Sequence, residues 1–223
     1  MRDQSSTYST RARRMGTTNA PPRPAPFPLP LPRAAEGRYT QGMALLKIAR
    51  MGHPVLARRA RPIEDPAAEP IQRLIGDMAE TVADADGIGL AAPQVHRSLR
   101  LILFVDAGAR EEVAGRRPIA LINPEIEILD ATLETDLEGC LSIPGLRGVV
   151  PRHRRIGYRG LGADGRLIER EADGLHARVV QHEVDHLDGI LYPMRMPDLR
   201  YLSFESELRH LAAGLQQQES STP

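Results

Sequence analysis

Two histidines four residues apart, with a glutamate between them, carry the sharpest chemical signal in this chain: His182-Glu183-Val184-Asp185-His186. On a helix, positions i and i+4 share a face, so both imidazoles can reach one metal ion. Glu183 is turned about 100° from His182 around the helix axis, beside such an ion, where its carboxylate can take a proton from water. The alternative is a pair of core or surface histidines spaced by chance, in a chain that has seven.

A hydrolytic metal site needs a third protein ligand and one open position for water. Peptidases that use this pentad place the third ligand downstream. One pattern requires a His six residues past the second His, where this chain has Tyr192, and another requires a Glu farther on, for which Glu205 or Glu207 would serve. The upstream candidate is Cys140, in Glu138-Gly139-Cys140-Leu141-Ser142. A thiolate is an excellent ligand for Fe²⁺ or Zn²⁺, and Gly139 lets the backbone approach closely. A lone Cys is ordinarily buried filler. Beside the pentad, and in a polar glycine-containing turn, ligation is the better reading.

A third segment, Gly87-Ile88-Gly89-Leu90-Ala91-Ala92-Pro93-Gln94, leaves backbone open to a ligand and adds an amide donor where an oxyanion can form. It follows a helical pattern rather than a strand, so it is not a dinucleotide loop. Taken alone, it reads as a helix stop and a turn.

The elements that must hold these residues follow from periodicity. The apolar residues Ile71, Leu74, Ile75, Met78 and Val82 predict a helix opening near Pro66, with Asp65 as N-cap, and ending before Gly87. Leu99–Val105 and Ile119–Ile122 predict strands, and Ile126 and Ile128 alternate with acids as in a half-buried strand. Arg155–Leu161 and Leu167–Arg170 flank Asp164-Gly165, a hairpin turn. A second helix runs from about Gly174 to Leu187 and is closed by Gly189. On it, Leu175, Val179, His182 and His186 form the ligand stripe, while Val180, Val184, Leu187 and Leu191 bury the opposite side. A third amphipathic stretch follows Asp198, with Leu199, Leu202, Leu208, Leu211 and Leu215. Strands in the middle with helices on either side predict an α+β fold.

Composition sets the outer limits. With 41% hydrophobic residues in 223, most of the chain can bury a core, and 4% aromatics with no Trp give no stacking platform for single-stranded nucleic acid. No apolar run suits a membrane helix, so a soluble protein is expected. Residues 1–42 carry seven Arg and two acids (Asp3 and Glu36); taken from 29 and 29, this leaves 22 basic and 27 acidic residues, net −5, in 43–223. That balance argues against a specific nucleic-acid partner. One Cys permits no intrachain disulfide and suits a reducing compartment. The first 42 residues, with Pro21-Pro22-Arg23-Pro24-Ala25-Pro26-Phe27-Pro28, have little to bury and can neither coil nor pair. They read as a dispensable extension upstream of Met43, as a disordered arm, or as a transit peptide, the last opposed by the prolines.

The three segments, in this order, closely resemble the signature motifs of the peptide deformylases: Gly87 to Gln94, Glu138 to Ser142, and Gln181-His182-Glu183-Val184-Asp185-His186-Leu187, with no departure at a signature position. The resemblance spans about Met43 to Asp198. Gly145-Leu146-Arg147-Gly148-Val149-Val150-Pro151-Arg152 and His176-Ala177-Arg178-Val179-Val180 resemble the branch found in mitochondria and many proteobacteria. The division expected is an extension at 1–42, a catalytic domain at 43–198, and a helical stretch and tail at 199–223.

The resemblance implies removal of the formyl group from the N-terminal formyl-methionine of new polypeptides. It implies mixed or antiparallel sheets packed around a central metal-binding helix. It implies Fe²⁺ on Cys140, His182 and His186, with Zn²⁺, Ni²⁺ or Co²⁺ as substitutes, and Glu183 as the base that takes a proton from water and delivers it to the leaving amine. Gln94 and the Leu141 N–H would stabilise the oxyanion, at roughly 3 kcal/mol for a good donor. The peptide would add as a strand along Ile88-Gly89, and Val179 would line an apolar methionine pocket. Formylated nascent peptides and, transiently, the ribosome are the implied partners, in a bacterial cytoplasm or, if residues 1–42 are a transit peptide, in mitochondria. Two other readings stand beside this one. A two-His-plus-Glu zinc peptidase would use Glu205 or Glu207. A structural metal module in a ribosome-associated protein would use four protein ligands and have no need of Glu183.

Overall fold

The computed structural model describes residues 44–106 and 117–210. Six strands form one antiparallel sheet: β1 (Gly89–Ala91), β2 (Leu101–Phe104), β3 (Ile119–Cys140), β4 (Ile143–Leu161) and β5 (Leu167–Asp173) lie in chain order, and β6 (Leu202–Phe204) pairs with β4. The helices α1 (Glu69–Asp84) and α2 (Gly174–Leu187) complete an α+β architecture among the described residues.

β2 shows how the layers close. All four of its residues are buried. Leu101 and Leu103 pack with Leu74, Met78 and Val82 of α1, while Ile102 and Phe104 pack with Ala177, Val180, Val184 and Leu187 of α2. A strand covered on both faces reads as a continuous apolar run rather than an alternation, which is why Leu99–Val105 looks as it does. A third cluster, Ala49, Leu56, Ile143, Val150, Leu191 and Tyr192, fills the space beside the β3–β4 turn.

The sequence suggests short separate strands at 119–122 and 126–128, yet these belong to one 22-residue strand. Extended flat, it would run roughly 70 Å. Register shifts against β4 between Ile122 and Glu125, from Ile128 through Leu133, and at Gly139/Cys140 bend it instead. Asn123 sits at the first shift with φ of 52°. Its amide clamps the Ile63 backbone from both sides, at 2.9 and 2.8 Å. The last shift leaves Leu141 and Ser142 as a tight turn between Cys140 and Ile143.

Three local expectations are corrected. α1 starts at Glu69, with Ala68 as N-cap and Pro70 in its first turn. Asp65 instead accepts from the Ala67 N–H at 2.9 Å, turning the chain before the helix begins. The segment 87–94 is not merely a turn, because Gly89–Ala91 pairs with β2 and a 3-10 turn, Ala92–Val95, follows. From Asp198 to Glu207 the chain forms a 3-10 turn, then β6, then a second 3-10 turn (Glu205–Glu207) rather than a helix; helical backbone begins at 208–210, and Leu211 and Leu215 lie outside the described residues. The second helix matches its expected bounds. Gly189, with φ of 75°, closes it so tightly against Ala57 and Arg58 that a Cβ would come within 2.9 Å of their backbone.

Candidate metal centre

Every residue of α2 from Ala177 to Leu187 is buried, polar ones included. Polar groups that far from water need partners, and these define the site. His182 and His186 lie one turn apart, ring centroids 5.0 Å from each other. Cys140, carried to them by the end of β3, places Sγ 3.3 Å from His186 Nε2. One donor atom from each of the three residues falls within 4.8 Å of the others. Donors bound at about 2.0–2.3 Å in a tetrahedron sit roughly 3.5 Å apart, so the trio fits a mononuclear cation. Among the described residues no other group of His, Cys, Asp and Glu converges this way.

Orientation comes from behind. His182 Nδ1 lies 2.8 Å from Glu138 Oε2. That bond places the proton on Nδ1 and leaves Nε2 as the lone-pair nitrogen. Glu138 also accepts from Arg152 Nε and Nη2, at 2.8 and 3.0 Å, and from Arg178 Nη1 at 2.8 Å. Burial alone would raise its carboxyl, but Arg152 and His182 hold it well below the usual carboxylate range. Arg152 continues to Asp185 at 2.5 Å, and Asp185 is gripped by Arg195 at 2.7 and 3.1 Å. Arg178 further ties the Glu134 and Val150 carbonyls at 2.7 and 2.8 Å. The result is a lattice of three arginines and two acids, all buried but the half-buried Arg195, in which each side chain is paired, the condition under which buried charge is tolerated.

The chemistry of the donors agrees with a metal. Burial would push the Cys140 thiol up, yet the His186 and His182 imidazoles beside it hold it well below its ordinary value, favouring the thiolate that ligates. Glu183 is pushed up to about 7 by burial, against the pull of the histidines. A divalent cation on its neighbours would draw it down again. Its Oε2 is buried without a hydrogen-bond partner, an acceptor held ready.

These groups face a cavity of about 540 Å³, whose lining includes Cys140, His182, Glu183, Gln94, Leu141, Ile88, Gly89 and Val179; His186 stands behind it. Gln94 Oε1 accepts from the Ala91 N–H at 2.8 Å, which turns its amide nitrogen toward Ser142 Oγ and Cys140 Sγ, at 3.3 and 3.5 Å. Gly89 packs so closely on the Glu183 carboxylate that a Cβ would overlap it. Leu141 sits in the β3–β4 turn, its carbonyl accepting from Arg50 at 3.3 Å. The alternative ligands do not join this donor set. Glu205 pairs with Arg147 at 2.6 Å, Glu207 is exposed, and the Tyr192 ring stacks on His182 with centroids 6.3 Å apart.

Sequence reasoning gives no role to Glu138, although it stands two residues from Cys140, names Arg147, Arg152, Arg178 and Asp185 only as members of motif segments, and overlooks Arg195. An arginine set among Ala177, Val179 and Val180, as Arg178 is, is the available hint. Its partner is 40 residues away.

An α+β scaffold that brings a Cys/His/His donor set against a buried carboxylate is that of a metal-dependent hydrolase. The family model for polypeptide deformylase matches residues 45–201. Peptide deformylase 1 of Nitrosomonas europaea is 46% identical over 163 residues, 72% of this chain and 93% of that protein. Peptide deformylase 2 of Bordetella bronchiseptica is 48% identical over the same shares. The crystal structure of peptide deformylase from Thermotoga maritima matches with a TM-score of 0.63 at 38% identity, over 70% of this chain and 99% of that one. A class I type b peptide deformylase from Acinetobacter baumannii, solved with Met-Ala-Ser bound, gives 0.64 at 32%, over 70% and 100%. The chain belongs to the polypeptide deformylase family, and it is an enzyme that removes the formyl group from peptide N-termini.

Proposed function

We propose that the substrate is the N-terminal formyl-methionine of newly synthesised polypeptides and that Cys140, His182 and His186 hold Fe²⁺. The observation that carries this is the convergence of one thiolate and two imidazoles, one of them oriented by Glu138, beside an unpartnered Glu183 oxygen. Bound there, the cation would polarise the formyl carbonyl and lower the pKa of water at its open position. Glu183 takes a proton from the attacking water and passes it to the departing amine, so that formate and a free N-terminus result. Gln94 Nε2, aimed by the Ala91 N–H, and the Leu141 N–H donate to the oxyanion. The peptide lies along β1, the terminal strand of the sheet, adding a strand at Ile88-Gly89 while its methionine meets Val179. The Met-Ala-Ser peptide in the Acinetobacter baumannii structure supports a methionine-first ligand.

The bacterial relatives favour a cytoplasmic setting, with transient contact to the ribosome where such chains emerge. No helix among the described residues is long and apolar enough to cross a membrane. The test is to strip the protein with chelator, reload it anaerobically with Fe²⁺, and follow formate release from formyl-Met-Ala-Ser. Turnover should vanish and then return at one ion per chain. Undiminished turnover after stripping, or release of a free amino acid in place of formate, would overturn the assignment.

A further inference from the structure

The cavity carries a second polar cluster, supplied by a segment beyond the family's common region. The family match ends at residue 201, and β6 starts at the next residue. It pairs with β4 through Leu146↔Phe204, Arg147↔Ser203 and Gly148↔Leu202. That pairing delivers Glu205, the residue after β6, to the cavity wall. Its Oε1 accepts from Arg147 Nε and Nη2, at 2.7 and 2.6 Å. Arg147 stands opposite Gly139 in the β3–β4 register, and its guanidinium lies where a Cβ on Gly139 would be. The ion pair therefore stands one residue from Cys140 without joining the donor set. The Arg147 and Glu205 side chains are 30% and 48% exposed, so both reach the open mouth of the cavity.

Alone, Arg147 would draw acidic side chains toward that mouth and repel basic ones. Glu205 cancels this charge. With Asp86 and Asp136 on the same lining, against Arg50 and Arg147, it gives the exposed rim an acidic balance. A cavity of this size suits a ligand larger than one amino-acid side chain, since pockets of roughly 300–1,000 Å³ hold drug-sized molecules. Arg147 and Glu205 share this lining with Ile88, Gly89 and Val179, so a peptide seated along Ile88-Gly89 with its methionine at Val179 brings its later residues near the pair.

We propose that Glu205 is a specificity-determining residue: through its ion pair with Arg147 it favours formylated peptides with a basic side chain soon after methionine over those with an acidic one. This rests on the deformylase reading and deepens it. Glu205 touches no reacting atom, so its effect belongs in KM. Exposed charge pairs act weakly, and a single change should move the preference about two- to fivefold.

The experiment compares kcat/KM for formyl-Met-Ala-Lys and formyl-Met-Ala-Asp in the full chain, in Glu205→Gln and in Glu205→Lys, at low salt and at about 0.5 M salt. Glu205→Gln should shift the Lys-to-Asp ratio toward Asp by about two- to fivefold, mostly through KM, and Glu205→Lys should shift it further. High salt should shrink both shifts. An unchanged ratio in Glu205→Lys, equal losses on both peptides, or a shift indifferent to salt would overturn the proposal. Failure of the unaltered enzyme to release formate from either peptide would undo the deformylase reading instead.

Discussion

Cys140 and Glu183 divide the work of the site between holding and reacting, and substitution should separate them. Cys140→Ser replaces a thiolate with a neutral hydroxyl, a far poorer ligand, so metal content and activity should fall together. Glu207→Ala should leave both unchanged, because that carboxylate is exposed and 3.7 Å from His210 rather than at the centre. Metal analysis alongside formate release reads both variants, and the reverse pattern would restore the peptidase assignment. Glu183→Gln keeps size but cannot accept a proton. Metal should stay bound while turnover drops about 10²–10⁴-fold. A metal-loaded Glu183→Gln protein with near-normal rate would remove Glu183 from its proposed role. At this scale the sequence is most legible, since ligand types and their helical spacing are chemical requirements written locally. The lattice behind them is not. Glu138 meets Arg152, Arg178 and His182 across 14, 40 and 44 residues, and nothing local in the sequence encodes pairings that arise when α2 packs against the β3–β4 hairpin.

Elements succeed or fail as sequence readings according to how clearly residue pattern and terminal signals mark them. α2 is legible to its ends because its apolar stripe, its ligand stripe and Gly189 agree. β1 is hidden, being only three residues, all of them buried, with no alternation to betray a strand. β3 is legible only where its faces differ. From Ala131 to Leu137 its side chains are exposed and polar patterning fades, so the long hairpin that delivers Cys140 to α2 goes unseen. β1 nevertheless carries a strict demand. Gly89 has no room for a side chain because the Glu183 carboxylate occupies that space. Gly89→Ala should therefore fold with modest destabilisation, about 1–3 kcal/mol for overpacking. Its larger effect should fall on kcat, since a displaced base of about 1 Å can cost on the order of 10²-fold. Melting, metal content and turnover measured on one preparation check this. Normal kcat in a folded, metal-loaded Gly89→Ala enzyme would show that Glu183 tolerates the shift.

At the scale of the whole molecule the question is how much chain the enzyme needs. Residues 1–42 hold seven Arg against two acids, a proline run, and none of the three motif segments. The family match starts at residue 45. The first described residues are already fastened: the Ala44 N–H donates to Asp77 at 3.2 Å and the Leu46 N–H to Thr81 at 2.9 Å, both on α1. Farther along, the Ala49 N–H reaches the Gln94 carbonyl at 2.7 Å and the Met51 N–H reaches the Ser142 carbonyl at 2.9 Å, which couples this segment to the two sides of the site. A protein starting at Met43 retains all four bonds and should melt and turn over peptide like the full chain. One starting at Met51 loses Ala49 and Leu46 from the core, and should melt lower and deformylate more slowly, because Gln94 would lose part of its support. Thermal melting and formate release on both proteins decide the matter. A drop of several degrees in the Met43 form would show that the arm packs on the domain. Equal behaviour on short peptides with slower deformylation of ribosome-bound chains would instead assign the arm to partner binding, where its arginines meet ribosomal phosphates.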